Sequence, residues 1–148
     1  GTDLATQRQV RLLAAEVELA AGQPEAALVL LSAGGARPEA LLRSQALLQA
    51  GRAAEAADAL QLWVSQHPRD ATAWQRLAAA RQAMGQTLRV VRAEAEAHAA
   101  RYDYAAAVDR LKAGQDLARS STDYVEASII DTRLRVVESA LREQAAER

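Results

Sequence analysis

At 148 residues the chain has room for one domain with a continuous core, and half of its residues are apolar. A net charge of −1, with both signs interspersed, leaves no basic face dense enough to neutralise a run of phosphates, which argues against nucleic acid as a partner. Cysteine is absent, removing disulfides and thiolate chemistry, and the longest apolar run, Ala26 to Leu31, is far short of the roughly 20 residues that span a bilayer, so no membrane insertion is expected.

Alanine and leucine dominate the apolar fraction, with valine third and no phenylalanine, a mixture that favours helix over strand. The chain therefore reads as all-α, and helix punctuation divides it into about eight helices. It opens on Gly1-Thr2, which resembles a cloning remnant on an excised fragment, so the absence of a targeting segment from it is uninformative. The first helix runs from about Asp3 to Ala21 and stops at Gly22. Pro24 opens a second, ending near Gly34-Gly35, and Pro38 a third, closing at Gly51. A fourth spans Ala53 to Gln66 and is stopped by His67-Pro68. Asp70 caps a fifth that ends at Gly85, Thr87 a sixth, Asp103 a seventh and Asp123 an eighth. Glu126, three residues after Asp123, has capping-box spacing.

The eighth helix carries Ala127, Ile130, Leu134, Val137 and Leu141 at steps of 3 and 4, a continuous apolar stripe. Asp131 with Arg135 and Glu138 with Arg142 form acid-first i,i+4 pairs, each adding about 0.2–0.5 kcal/mol. This long helix is expected to cap the stack with a polar outer side. Ser120-Ser121-Thr122 is a polar joint too short to separate domains, so residues 1–148 read as a single domain.

The turn glycines Gly22, Gly51 and Gly85 are 29 and 34 residues apart, a recurrence in the range of stacked helix–turn–helix units. Trp74, Leu77 and Ala78 supply a large residue, a leucine and a small residue at the spacing of the tetratricopeptide motif. Gly85 falls at its inter-helix turn, and Pro68 lies where the preceding repeat ends. Ala56 and Leu60, and earlier Ala27 and Leu31, fill the small and bulky positions of second helices. The chain resembles the tetratricopeptide family, with two to three repeats over residues 3–101 and a degenerate hairpin and capping helix over 102–146. That resemblance implies a right-handed α-α superhelix. Val90 stands at a small position, and the next turn comes early, near Tyr102-Asp103.

The C-terminal third carries Tyr102-Asp103-Tyr104, then Ala107, Leu111 and Leu117-Ala118, then Asp123-Tyr124 and the run Ala127 to Leu134. It resembles the tail of bacterial M48-family zinc metallopeptidases of the periplasmic β-barrel assembly-enhancing type, in which a tetratricopeptide region follows the catalytic domain. The resemblance implies a periplasmic parent with zinc in its catalytic domain. The His-Glu-x-x-His motif of that family is absent here, so no cofactor or catalytic residue is expected in this segment.

Other chemistry is thin. Glu94 and His98 stand i,i+4 on one helix face, but two ligands without a third make a poor metal site and a solvated pair is the plainer reading. His67 suits a helix C-terminus. The serines lie mostly at helix ends, and none stands in a nucleophile elbow. Trp74 is read as core and Tyr124 as a brace for the last helix.

By the tetratricopeptide resemblance, a protein or peptide would lie on the first helix of each unit, and the parent's own peptidase domain is one such occupant. Those positions are Leu12, Glu16 and Leu19, then Leu41, Gln45, Leu48 and Gln49, then Gln75, Ala79 and Gln82. The same leucines could instead pack between helices. A chaperone-type carboxylate clamp is excluded, because the chain has no asparagine and only one lysine, Lys112. The sequence thus points to a protein-interaction domain of an M48-type peptidase, or to an adaptor with no peptidase attached.

Overall fold

The computed structural model describes residues 3–32 and 34–148; Gly1, Thr2 and Ala33 lie outside the described residues, and with them the reading of Gly1-Thr2 as a remnant. Among the described residues there are eight helices and no strand: α1 (Leu4–Ala20), α2 (Pro24–Leu30), α3 (Arg37–Gln49), α4 (Ala53–Gln66), α5 (Ala71–Ala83), α6 (Thr87–Ala100), α7 (Tyr104–Ala118) and α8 (Tyr124–Ala146). The all-α class and the long last helix stand as expected.

Four aspartates start helices as their short carboxylates dictate. Asp3 accepts from the Thr6 N–H at 2.7 Å, Asp70 from Ala73 at 3.1 Å, Asp103 from Ala106 at 3.2 Å and Asp123 from Glu126 at 3.1 Å. The hairpin turns share one geometry. Gly22, Gly51 and Gly85 take φ of 75, 78 and 69°. In each turn the next N–H reaches back five residues: Gln23 to Glu18, Arg52 to Leu47 and Gln86 to Arg81. The same bond runs from Asp103 to His98, and there the left-handed position is filled by Tyr102, at φ 64°.

This geometry corrects the expected cap of α6. One residue both ends the turn and caps the next helix, so Gln86 is the N-cap and Thr87 is already helical. The Gln86 side chain accepts from Arg81 instead of capping. The second helix also stops earlier than expected, at Leu30. Arg43 holds the following loop by donating to the carbonyls of Leu31 and Gly34, and Ser32 Oγ donates to Val29 O at 2.8 Å.

The chain forms two compact units, with the division inside α4 between Trp63 and Val64. In the first, α1 packs on α2 and both pack on α3. Its core is Ala15, Leu19, Ala27, Leu31 and Ala46, with Leu12, Leu28, Leu30 and Leu42 packed against it. Three of the five core residues are alanines, which is what lets helix axes approach closely. Arg8 of α1 forks onto Glu39 of α3, with Nε to Oε1 at 2.6 Å and NH2 to Oε2 at 3.2 Å, and the Glu39 side chain is buried. That hydrogen bond holds the Glu39 carboxyl below the ordinary glutamate range against the opposing effect of burial.

In the second unit α5, α6, α7 and α8 pack in order, and α6 also meets α8. The expected stripe of α8 is the heart of the core: Ile130, Leu134 and Val137 are buried against Leu88, Ala95 and Ala99 of α6 and Ala107, Val108 and Leu111 of α7, with Leu141 packed alongside. Gly114 sits buried in α7 because a Cβ there would stand 3.1 Å from Ile130 Cδ1 and 3.3 Å from Val91 Cγ1. Three arginine–acid pairs tie α6 to α8: Arg89 with Asp123, Arg92 with Glu126 and Arg133 with Glu96. Residue numbers rise together along both helices, so α6 and α8 run parallel.

Two expectations about α8 change for the same reason. The Glu126 side chain turns away to Arg92, and the Asp123 N–H is taken by Ser121 Oγ at 3.0 Å, so only half of a capping box forms. Asp131 accepts from Gln115 Nε2 at 2.9 Å, while Arg135 reaches Thr132. In both cases a partner on another helix or on the flanking joint displaces the local one. Tyr124 is 75% exposed and braces nothing at the start of α8.

Candidate partner-binding surface

In the first unit, Glu16 lies exposed on α1 and Leu12 is half-buried against the core. Leu19 is a core residue, 7% exposed, so its side chain packs inward and is unavailable to a partner. Its carbonyl accepts from Gln49 Nε2 at 3.1 Å, which joins two of the expected positions across α1 and α3. On α3, Leu41, Gln45 and Leu48 are half-buried and Gln49 is exposed. In the second unit Gln75, Ala79 and Gln82 are all exposed on α5, at steps of 4 and 3 that keep them on one face. The opposite face of α5 is buried: Trp74, Leu77, Ala78, Ala80 and Arg81. Trp74 is core, as expected, with Nε1 donating to Pro68 O at 3.0 Å.

The expected positions on the first helices are therefore amides, small apolar groups and leucine edges. Glu16 is the one charged residue among the expected positions. Such a surface offers hydrogen bonds to a peptide backbone and shallow apolar contacts. Lowered carboxyl pKa values fall elsewhere: Glu39 under the Arg8 fork, Asp123, where the Glu126 N–H is the largest cause and Arg89 assists, Asp3 at its Thr6 cap bond, and Glu55 under the Arg52 hydrogen bond.

Several serines have structural partners. Ser44 Oγ donates to Leu41 O and Ser120 Oγ to Leu117 O. Glu94 is paired with Arg110 at 2.9 Å and His98 Nδ1 lies 3.8 Å from Asp103, so this pair faces two different partners. Among the described residues, no three His, Asp or Glu side chains come together closely enough to hold a metal ion. No described helix is long and apolar enough to cross a membrane.

A further cluster gathers at the α6–α7 turn, where the sequence shows only two tyrosines astride an early turn. The Arg69 guanidinium lies 4.6 Å above the Tyr102 ring and donates to Ala99 O at 3.0 Å. Tyr102 and Tyr104 meet edge to face at 6.2 Å, and Gln144 of α8 donates to Tyr102 O at 2.8 Å. A recess of about 310 Å³ opens beside it, walled by Arg69, Glu96, Tyr104, Arg133 and Val136. A left-handed residue without glycine leaves no trace in composition, although an early turn was legible at Tyr102-Asp103.

With this geometry in place, comparison with known proteins is informative in one stretch. Residues 37–80 match the family model of the tetratricopeptide repeat. The match covers α3, the Gly51 turn, α4 and most of α5, which is one complete hairpin and the helix that follows it. No curated protein matches the chain. The chain thus contains a tetratricopeptide repeat within an all-α fold, an architecture whose general work is to bind other proteins.

Proposed function

We propose that this chain is a non-catalytic protein-interaction domain that holds a protein or peptide segment on the first helices of its hairpins. In the first unit the contact surface is Leu12, Glu16, Leu41, Gln45, Leu48 and Gln49; in the second it is Gln75, Ala79 and Gln82. The observation that carries this reading is the tetratricopeptide repeat at 37–80. It is supported by first-helix faces that stay exposed or half-exposed while the opposite faces form the core. A leucine-and-amide surface suits an extended or helical segment of low charge.

In the finer reading, the domain is the C-terminal part of a periplasmic M48-type zinc metallopeptidase. There it recruits substrate or an assembly partner, or covers the catalytic domain, by raising local concentration and limiting access. The resemblance of the Tyr102–Leu134 region to such tails supports it. The natural full-length polypeptide decides between this and a free-standing adaptor. A His-Glu-x-x-His motif and stoichiometric zinc upstream of α1 would support the peptidase parent, and a zinc-free full-length product would reject it. For the surface, Leu41→Glu together with Leu48→Glu should abolish partner retention while leaving the helical circular dichroism unchanged. Retention at the unsubstituted level would reject the assignment.

A further inference from the structure

Val10, Leu13 and Val17 of α1 are 62, 61 and 59% exposed. Steps of 3 and 4 place them on one strip, on the side of α1 away from the core residues Ala15 and Leu19. The turn glycines Gly22 and Gly51 have the same backbone geometry and the same back-bonds, so α1 and α3 can be aligned by the 29 residues between them. In that register Val10, Leu13 and Val17 correspond to Glu39, Leu42 and Ala46.

All three of those residues of α3 meet the preceding hairpin. Glu39 takes the fork from Arg8 of α1. Ala46 is fully buried in the cluster that holds Ala15, Leu19, Ala27 and Leu31, and Leu42 packs against it. The strip on α1 is therefore the surface with which a first helix of this stack receives the hairpin before it. It is wholly aliphatic, where α3 has a glutamate at the corresponding end.

We infer that this strip is covered by a further helical hairpin, stacked ahead of α1 in the same natural polypeptide. Its second helix presents small and aliphatic residues as α2 presents Ala27 and Leu31. Its first helix brings an aliphatic side chain where α1 brings Arg8, because Val10 offers no carboxylate to fork onto. The physical drive is that a helical repeat cannot bury its own apolar face, and an end face left to solvent needs to be polar. A second copy of the chain is a poorer occupant. Three side chains per protomer bury far less than the roughly 800 Å² per partner of a stable interface. The inference stands independently of the peptidase reading and of the partner-binding surface.

The test is site-specific alkylation of Val17→Cys, with Lys112→Cys on exposed α7 as reference, in the 148-residue chain and in the natural full-length polypeptide, read by peptide mass spectrometry. Residue 17 should react freely in the shorter chain and slow by about tenfold or more, relative to residue 112, in the full polypeptide. Hydrogen exchange of α1 amides in the unsubstituted proteins should show the same added protection. Equal reactivity in both would overturn the inference. So would a full polypeptide with no helical hairpin ahead of α1, or protection in the shorter chain that grows with concentration, which would make a second copy the occupant.

Discussion

Tyr102 is the residue at which the turn geometry and the side-chain chemistry oppose each other. A left-handed conformation costs a non-glycine residue roughly 1–2 kcal/mol, and here it is held by the Arg69 guanidinium over the ring, the edge of Tyr104 and the Gln144 bond to the carbonyl. Removing the ring and removing the strain are separable. Tyr102→Ala loses the ring and keeps the strain, whereas Tyr102→Gly loses both. The glycine variant should be more stable than the alanine variant by about 1 kcal/mol in urea unfolding; equal stabilities would mean the turn is unstrained. Glu39 gives a pH prediction with a definite sign. Its folded pKa lies below the unfolded one, chiefly through the Arg8 hydrogen bond. Its stabilisation is therefore complete above the usual glutamate pKa of about 4.3 and is lost as pH falls through the lower folded value. Thermal unfolding between pH 6 and pH 3, roughly the carboxylate range, should fall less steeply for Glu39→Gln than for the natural chain.

Between α6 and α8 the decisive pair is Arg92 with Glu126. Both side chains are largely buried, and Arg92 also lies 5.9 Å from the Trp74 ring centroid, so one guanidinium touches α5 and α8 from α6. Arg92→Met leaves the buried Glu126 carboxylate without its cation and should cost about 3–5 kcal/mol. Adding Glu126→Leu should restore most of that loss, because two apolar groups need no partner. A double variant as unstable as the single one would show that the pair contributes little and that packing around Trp74 sets the cost. The elements themselves were legible where their signals are local. Aspartate caps at 70, 103 and 123, the stripe of α8 and the glycine turns all act within a few residues. What could not be read depends on residues far along the chain: Arg43 bonding the carbonyls of Leu31 and Gly34 beyond α2, Arg92 drawing Glu126 out of its capping box, Ile130 and Val91 demanding Gly114. The recurrence of an arginine 34 residues before an acid, at Arg89–Asp123 and Arg92–Glu126, is the one sequence signal that could have located the α6–α8 contact.

At the scale of the molecule, each compact unit has an aliphatic core, and the first-helix amides Gln49, Gln75 and Gln82 are exposed. In the proposed function, those first-helix faces hold segments of other proteins. The candidate surface was legible only in part. Repeat register placed Gln75, Ala79 and Gln82 on the exposed face of α5, but the same register also chose Leu19, which the α1–α2–α3 core claims. Register specifies which way a residue points within an ideal repeat, yet Leu19 is drawn into the core while Leu48, at the same register 29 residues on, stays half-buried. The most direct test of the whole account is photo-crosslinking in the natural polypeptide. A photoreactive residue is placed at Gln45 or Gln75 on the first helices, and at Lys112 or Thr132 on exposed positions of α7 and α8. The account predicts discrete protein adducts from positions 45 and 75 and none above background from 112 and 132. Adducts distributed equally over all four positions, or confined to α7 and α8, would contradict it.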